Sequence, residues 1–349
     1  MKILLKEARI KKKLKLKDLA QKLGIDQALV SKFEHGTRQP TRPQLEQLIE
    51  ILELDRSKMF VEWLSEKILY EVGDDEFNLQ AMQVAEAKIR YQLRSKKKGL
   101  PSEFALIFKE IDDLKKRLVK MRTKDSYRIA QALELEYTYE SNRIEGNTLT
   151  LKETDLVINE GITISGKSVR EHLEAINHRD AVEYLKVLVS RKSDFKERDI
   201  LMLHNLILRG NDSMNAGVYR NVQVMIKGSR HLPPQPFLVP KQMEEVFEWY
   251  EANKRTLHPV WLAAELSERI VTIHPFVDGN GRVSRLVMNL ILLRHGYPIA
   301  NIKGDHSSRM AYYTALEAVQ VEESKISFVQ FVAQTVKDSL IRYLHILGA

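Results

Sequence analysis

Apolar residues recur three and four positions apart over most of this chain, and runs that alternate apolar with polar are few. Most of its core must therefore come from packed helices. The clearest stripe is Leu262, Leu266, Ile270, Val271 and Ile273, broken at Pro275 and resumed at Leu286, Val287, Leu290, Ile291 and Leu293, with Gly296 and Pro298 just beyond. This pattern predicts two helices joined by a loop over His274 to Asn280. At 349 residues, 44% of them hydrophobic, the chain can bury one substantial core and one smaller one. The apolar stretch Ile3, Leu4 and Leu5 is too short for a signal peptide, and no later run approaches a bilayer span, so no membrane partner is expected. The absence of cysteine excludes a disulfide framework and thiolate metal sites, fits a cytoplasmic location, and leaves oxygen ligands for any metal.

The expected fold class is all-α, and no internal repeat is evident. Boundaries are marked by Val72-Gly-Asp-Asp75, by the charged run Arg94-Ser-Lys-Lys-Lys-Gly99 and by Leu100-Pro101. They predict a small domain over 1–70, a helical linker over 71–99 and a large helical domain over 100–349. One strand pair stands out: Val222, Val224 and Ile226 alternate with other residues and lead into the turn Lys227-Gly-Ser-Arg230, a hairpin signal.

Charge is concentrated rather than diffuse. Residues 1–40 hold eleven Lys or Arg against four acidic residues, an excess of seven out of the chain's net +8, as expected of a footprint for a polyanion. Leu19, Ala20 and Leu23 give a first short helix its buried face, Gly24 permits a sharp turn, Asp26 can cap a second helix, and Gly36 ends it. This is helix-turn-helix geometry. Val30 and Phe33 face inward, which leaves Gln27, Ser31 and Lys32 for base edges, with Lys17 and Arg38 among the phosphate contacts. The residues Asp18 to Gly24, Val30 to Glu34, Gly36 and Pro40 resemble the lambda-repressor-like, XRE-type helix-turn-helix family over roughly the first 60 positions. The resemblance implies DNA binding, and specific binding through one recognition helix normally calls for a homodimer on two half-sites. Such domains also serve protein contacts.

The loop carries the chemistry. Gly279-Asn280-Gly281 lets backbone amides approach an anion, and the following helix turns its positive end toward it. Arg282 and Arg285, three apart on the first turn, add guanidiniums at the mouth. Asp278 offers the hard oxygen that Mg²⁺ takes when phosphates and waters complete its shell. His274 is suited to act as base toward a hydroxyl, being largely neutral near pH 7.

With those residues in place, His274-Pro-Phe-Val-Asp-Gly-Asn-Gly-Arg-Val-Ser-Arg285 resembles the complete signature of Fic-domain AMP transferases. The resemblance implies ATP as co-substrate, Mg²⁺ on Asp278, and a target protein whose Ser, Thr or Tyr hydroxyl is deprotonated by His274. It further implies a nucleotide cradle of Phe276, Gly279, Asn280, Gly281, Arg282 and Arg285, with Arg309, Tyr312 and Tyr313 lining the pocket. The segment 217–240, beginning Gly217-Val-Tyr-Arg220, resembles the family's hairpin flap, where Val222, Val224 and Ile226 would hold a target peptide by strand addition. Upstream, a helix over about 126–146 ends in Ser141-Asn-Arg-Ile-Glu145-Gly146, similar to the Fic inhibitory motif. By that resemblance Glu145 pairs with Arg285 and removes the guanidinium meant for the γ-phosphate. Relatives with altered Gly-Arg positions move phosphate, and others move UMP or phosphocholine; Gly281-Arg282 favours AMP. Two rival readings remain: a transcription regulator that uses the large domain as a nucleotide sensor, and a hydrolase that removes AMP with Glu145.

Overall fold

The computed structural model describes residues 2–74, 76–83, 85–86, 89, 104–121, 126–191, 193–322 and 324–348. The chain divides between residues 89 and 90 into two compact units.

The first unit contains α1 (Lys2–Lys11), α2 (Leu16–Leu23), α3 (Gln27–His35), α4 (Arg42–Leu52) and α5 (Arg56–Val72). Its core gathers Leu5, Leu19, Leu23, Val30, Phe33, Leu45, Leu48, Met59 and Trp63. Gly24 ends α2 in the left-handed region, and the Asp26 carboxylate then caps α3 by accepting from the Ala28 amide at 2.5 Å. Glu34, buried in that core, is paired with Arg9 by two bonds of 2.6 and 2.8 Å. This bidentate pair ties α1 to α3. Residues 78–83 are helical, while the predicted linker's charged run and Leu100-Pro101 lie outside the described residues.

The second unit is built from α6 (Phe104–Met121), α7 (Ser126–Ile144), α8 (Leu151–Asn159), α9 (Val169–Ser190), α10 (Glu197–Leu208), α11 (Val239–Asn253), α12 (Pro259–Ile273), α13 (Asn280–Arg294), α14 (His306–Glu322) and α15 (Lys325–Ile346). The two helices predicted around the loop, α12 and α13, pack on each other at its centre. Every residue of α12 from Val260 to Ile273 is buried, so the expected one-sided stripe is in fact a helix enclosed on all faces. Its polar residues are matched internally. Glu265 accepts from Trp261 Nε1 at 2.9 Å, from Arg269 at 2.7 Å and from Lys325, and Glu268 accepts from Thr272 Oγ1 at 2.7 Å. No helix among the described residues is long and apolar enough to cross a membrane.

One expectation is corrected. Among the described residues there is no strand, and Val222, Val224 and Ile226 lie in an irregular segment, entered through a bend, without ladder pairing. The return limb carries Pro233 and Pro234, which have no N–H to donate to a ladder. Side chains hold the two limbs instead: Arg220 donates to the carbonyls of Val222 at 3.0 Å and Pro234 at 2.6 Å, and Gln223 donates to that of Pro233 at 2.9 Å. The tip is tied down by Arg230 on Glu317 of α14 at 2.8 Å, and its base by His231 on the Thr272 carbonyl at 2.8 Å.

Candidate active site

The buried hairpin of α12 and α13 fixes the loop from both ends. His274 terminates α12 with φ 52, the left-handed conformation that turns the chain sharply before Pro275. Gly279, with φ 78, starts the return, and a side chain there would crowd His204 and Ile207. Between them the Asn280 side chain bonds both polar groups of Phe276, accepting from its N–H and donating to its C=O, each at 2.9 Å. Asn280 is buried, and these two bonds make its side chain a brace across the loop. The amides of Asn280, Gly281 and Arg282, in the first turn of α13, have no carbonyl partner within the helix and form its anion-attracting end.

Two residues that the sequence reading did not single out as site residues hold this loop. Arg220 is buried and donates through Nε to the His274 carbonyl at 2.8 Å, while its backbone N–H bonds that of Pro275 at 2.9 Å. His204, on α10, stacks on Phe276 with ring centroids 3.6 Å apart. Its Nδ1 accepts from the Gly217 amide at 2.9 Å, so Nε2 carries the proton and donates to the Asp278 carbonyl at 3.0 Å. One imidazole thus joins the start of the flap segment to the middle of the loop. Nothing in the sequence marked this histidine or its partner 74 positions away.

The charged groups fall into two sets. Arg285, 1% exposed, donates to Glu145 Oε1 at 2.7 Å, to the Ser141 carbonyl at 2.9 Å and to Ser141 Oγ at 3.1 Å. Burial works against its charge, but Glu145 together with Tyr312 and Tyr137 outweighs burial and raises its pKa. Glu145 itself lies just past the end of α7, in a turn closed by Gly146 with φ 99. A side chain at Gly281 would collide with the Glu145 carboxylate and crowd Arg285. The carboxylate therefore lies against the amide-rich start of α13, beside the guanidinium, where an incoming anion would bind.

In the second set, Asp278 receives the Gly279 amide at 2.6 Å, Arg282 at 3.3 Å and Arg170 of α9 at 3.0 Å. Burial favours its neutral form, but Arg282 and these neighbours prevail and its pKa is lowered. Arg282 is buried and held also by Glu174 at 3.7 Å. Asp278 offers one carboxylate, and no group of three or more His, Cys, Asp or Glu gathers as a cage among the described residues. That donor set suits an octahedral ion which takes its remaining ligands from phosphates and water.

The aromatic pair divides. Tyr312 is buried among Phe328 and Phe331 with the Arg285 guanidinium 6.0 Å from its ring, whereas Tyr313 is 41% exposed and donates to the Ile144 carbonyl at 3.3 Å, next to Glu145. In the flap segment Val222 is exposed, and Val224 and Ile226 are half-buried. In the first unit Gln27, Lys32, Lys17 and Arg38 are exposed, and Ser31 is half-buried with its carbonyl accepting from His35 at 2.7 Å.

Burial pushes His274 and His204 down to about 4 and His178 to about 3, so all three are neutral at pH 7. His274 Nδ1 lies 3.3 Å from the Val271 carbonyl, which leaves Nε2 as its acceptor. Because each folded pKa lies below the free value of about 6.5, the unfolded chain binds more protons between the two. The stability these neutral rings support is complete above about pH 6.5 and is lost as pH falls toward 4. Urea midpoints are accordingly expected to fall steadily from pH 7 to pH 4.5; a flat midpoint over that range would show that the rings are not buried neutral.

Residues 194–292 match the Fic/DOC family model, and residues 5–58 match the model described as helix-turn-helix. The chain therefore carries a Fic domain, with a helix-turn-helix domain ahead of it. It is 37% identical over 210 residues to a protein named protein adenylyltransferase Fic from Drosophila melanogaster, covering 60% of this chain and 42% of that one. It is 35% identical over 211 residues to protein adenylyltransferase fic-1 from Caenorhabditis elegans, covering 60% and 41%. The chain thus spans less than half the length of these curated relatives. Among solved structures, Fic-1 (residues 134–508) from C. elegans superimposes with a TM-score of 0.65 at 26% identity over 94% of this chain and 96% of that one. A Fic-domain-containing signaling protein from Bacteroides thetaiotaomicron gives 0.63 at 29% identity over 69% and 97%.

Proposed function

We propose that the Fic unit is a protein adenylyltransferase that transfers AMP from ATP to a Ser, Thr or Tyr hydroxyl of another protein and rests in an inhibited state. The observation that carries this reading is the Glu145 carboxylate, 2.7 Å from a buried arginine, lying against Gly281 at the positive end of α13. A carboxylate held there mimics the anion for which the loop is built. The names of the relatives support the choice of AMP.

In this reading the acceptor oxygen attacks the α-phosphorus, the bond to the bridging oxygen breaks, and pyrophosphate leaves. His274, neutral and with Nε2 as acceptor, takes the hydroxyl proton. Arg282, Arg285 and the loop amides stabilise charge on the phosphates as it develops. Asp278 would hold Mg²⁺, which supplies charge neutralisation on the polyphosphate when bound. Phe276 and Tyr312 are buried supports, and the exposed irregular segment at Val222 receives target backbone. ATP binding would require Arg285 to leave Glu145, which makes weak wild-type activity the expected resting state. Transfer is tested by incubating the full chain with labelled ATP, Mg²⁺ and a cytoplasmic lysate.

The same carboxylate favours a second reading, removal of AMP. Glu145 is about one-third exposed beside the cradle and could activate a water. Wild-type protein incubated with an AMP-bearing target decides this by whether AMP is released.

The helix-turn-helix unit is proposed to bind DNA, as a homodimer on two half-sites. Lys17→Ala and Arg38→Ala should each weaken binding on every sequence and reduce the salt slope by about 1, whereas Gln27→Ala should cost discrimination at one base pair. Fluorescence anisotropy across a salt series reads both effects; slopes unchanged in all variants would remove these residues from the interface.

A further inference from the structure

Four charged side chains close a ring beside the cradle. Arg170 bonds Asp278 Oδ2 at 3.0 Å and, through Nε, Glu174 Oε1 at 3.1 Å. Arg282 reaches Asp278 Oδ1 at 3.3 Å and Glu174 Oε1 at 3.7 Å. The Asn147 amide takes the other Glu174 oxygen at 3.0 Å. Two cations face two anions, and both oxygens of Asp278 are engaged, Oδ1 also by the Gly279 amide. The members differ in freedom. The Arg282 side chain is 3% exposed and cannot leave, whereas that of Arg170 is 65% exposed on the first turn of α9.

We propose that Arg170 is the resident cation of Asp278, and that a divalent ion reaches this carboxylate only by displacing it. The inference rests on the assignment of Asp278 as the metal ligand. It assigns Arg170 a role for which the loop motif, 108 positions away, gives no hint. Displacement leaves the guanidinium tethered by Glu174 at the cradle's edge, where a polyphosphate is a better partner than water. Free metal must compete with Arg170 unaided, but metal that arrives on a nucleotide brings a new partner for the displaced guanidinium. Arg170 thus biases the site toward the chelated ion, and apparent affinity for free metal falls by the fraction of sites that Arg170 holds.

An exposed ion pair is worth at most about 1 kcal/mol, so the expected effect is about fivefold. The test uses the full chain without nucleotide and Mn²⁺ as the probe, with free ion read by electron paramagnetic resonance. Arg170→Ala and Arg170→Gln should both bind Mn²⁺ about fivefold more tightly than wild type at low salt, with the gain shrinking as salt is added. Asp278→Ala should lose this binding. Equal or weaker affinity in both Arg170 variants, with binding still lost in Asp278→Ala, overturns the role of Arg170 and leaves the metal assignment standing. Mn²⁺ binding that Asp278→Ala does not lower removes both.

Discussion

Glu145→Gly is expected to raise AMP transfer about a hundredfold. Arg285 is 1% exposed, and its bond to Glu145 is its charged contact. Removing one partner of a buried pair typically costs 3–5 kcal/mol; with Glu145 about one-third exposed the lower end applies, and about 3 kcal/mol is a factor of about 10² in an equilibrium. In the wild type a γ-phosphate must carry that cost itself; in the variant Arg285 is already in need of an anion. Transfer of label from ATP to the protein and to lysate targets reads the effect. The same substitution should abolish any release of AMP that depends on the Glu145 carboxylate. If labelling of the variant matches that of the wild type, the pairing with Arg285 is structural and not a brake.

The second large effect is at His274. In the Glu145→Gly background, His274→Ala should reduce transfer by about 10²–10⁴, the range for loss of a general base. Position 274 has φ 52, so alanine also brings backbone strain. His274→Asn separates the two causes, because asparagine tolerates the left-handed region yet cannot take the proton. Both variants should lose transfer while ATP binding persists, and the asparagine variant should keep the thermal midpoint. With His274 low-shifted to about 4, kcat/KM of the Glu145→Gly protein should stay level from pH 8 to about 5.5 and fall only in more acid solution. An asparagine variant that transfers AMP at the parent rate would place the base elsewhere.

The loop was legible in the sequence because all its parts lie within twelve consecutive positions, and a helix–loop–helix with glycines at its bend can take few shapes. The Ser141–Glu145 helix end was legible only through its likeness to a motif, since nothing local reveals that its partner is Arg285. What escaped was long-range. Arg220, His204, Arg170 and Glu174 act on the loop from three other segments, and no periodicity announces which buried polar groups will meet. The phosphate role of Asn280 came from the family resemblance alone, and the bonds of its amide to Phe276 across the bend had no sequence signal. Alternation at Val222 to Ile226 suggested a hairpin, but the prolines of the return limb deny it ladder donors. The helix-turn-helix core was readable throughout, as its caps and its apolar spacing agree with one another.

The central claim is that the loop from His274 to Arg285 moves AMP and that Glu145 holds it back. Intact-mass measurement of the Glu145→Gly protein after incubation with ATP and Mg²⁺ tests this most directly. The account predicts a gain of one or more AMP units, smaller in the wild type and absent when His274→Asn is added. A gain of phosphate alone, no gain at all, or an AMP gain that survives loss of His274 would contradict it.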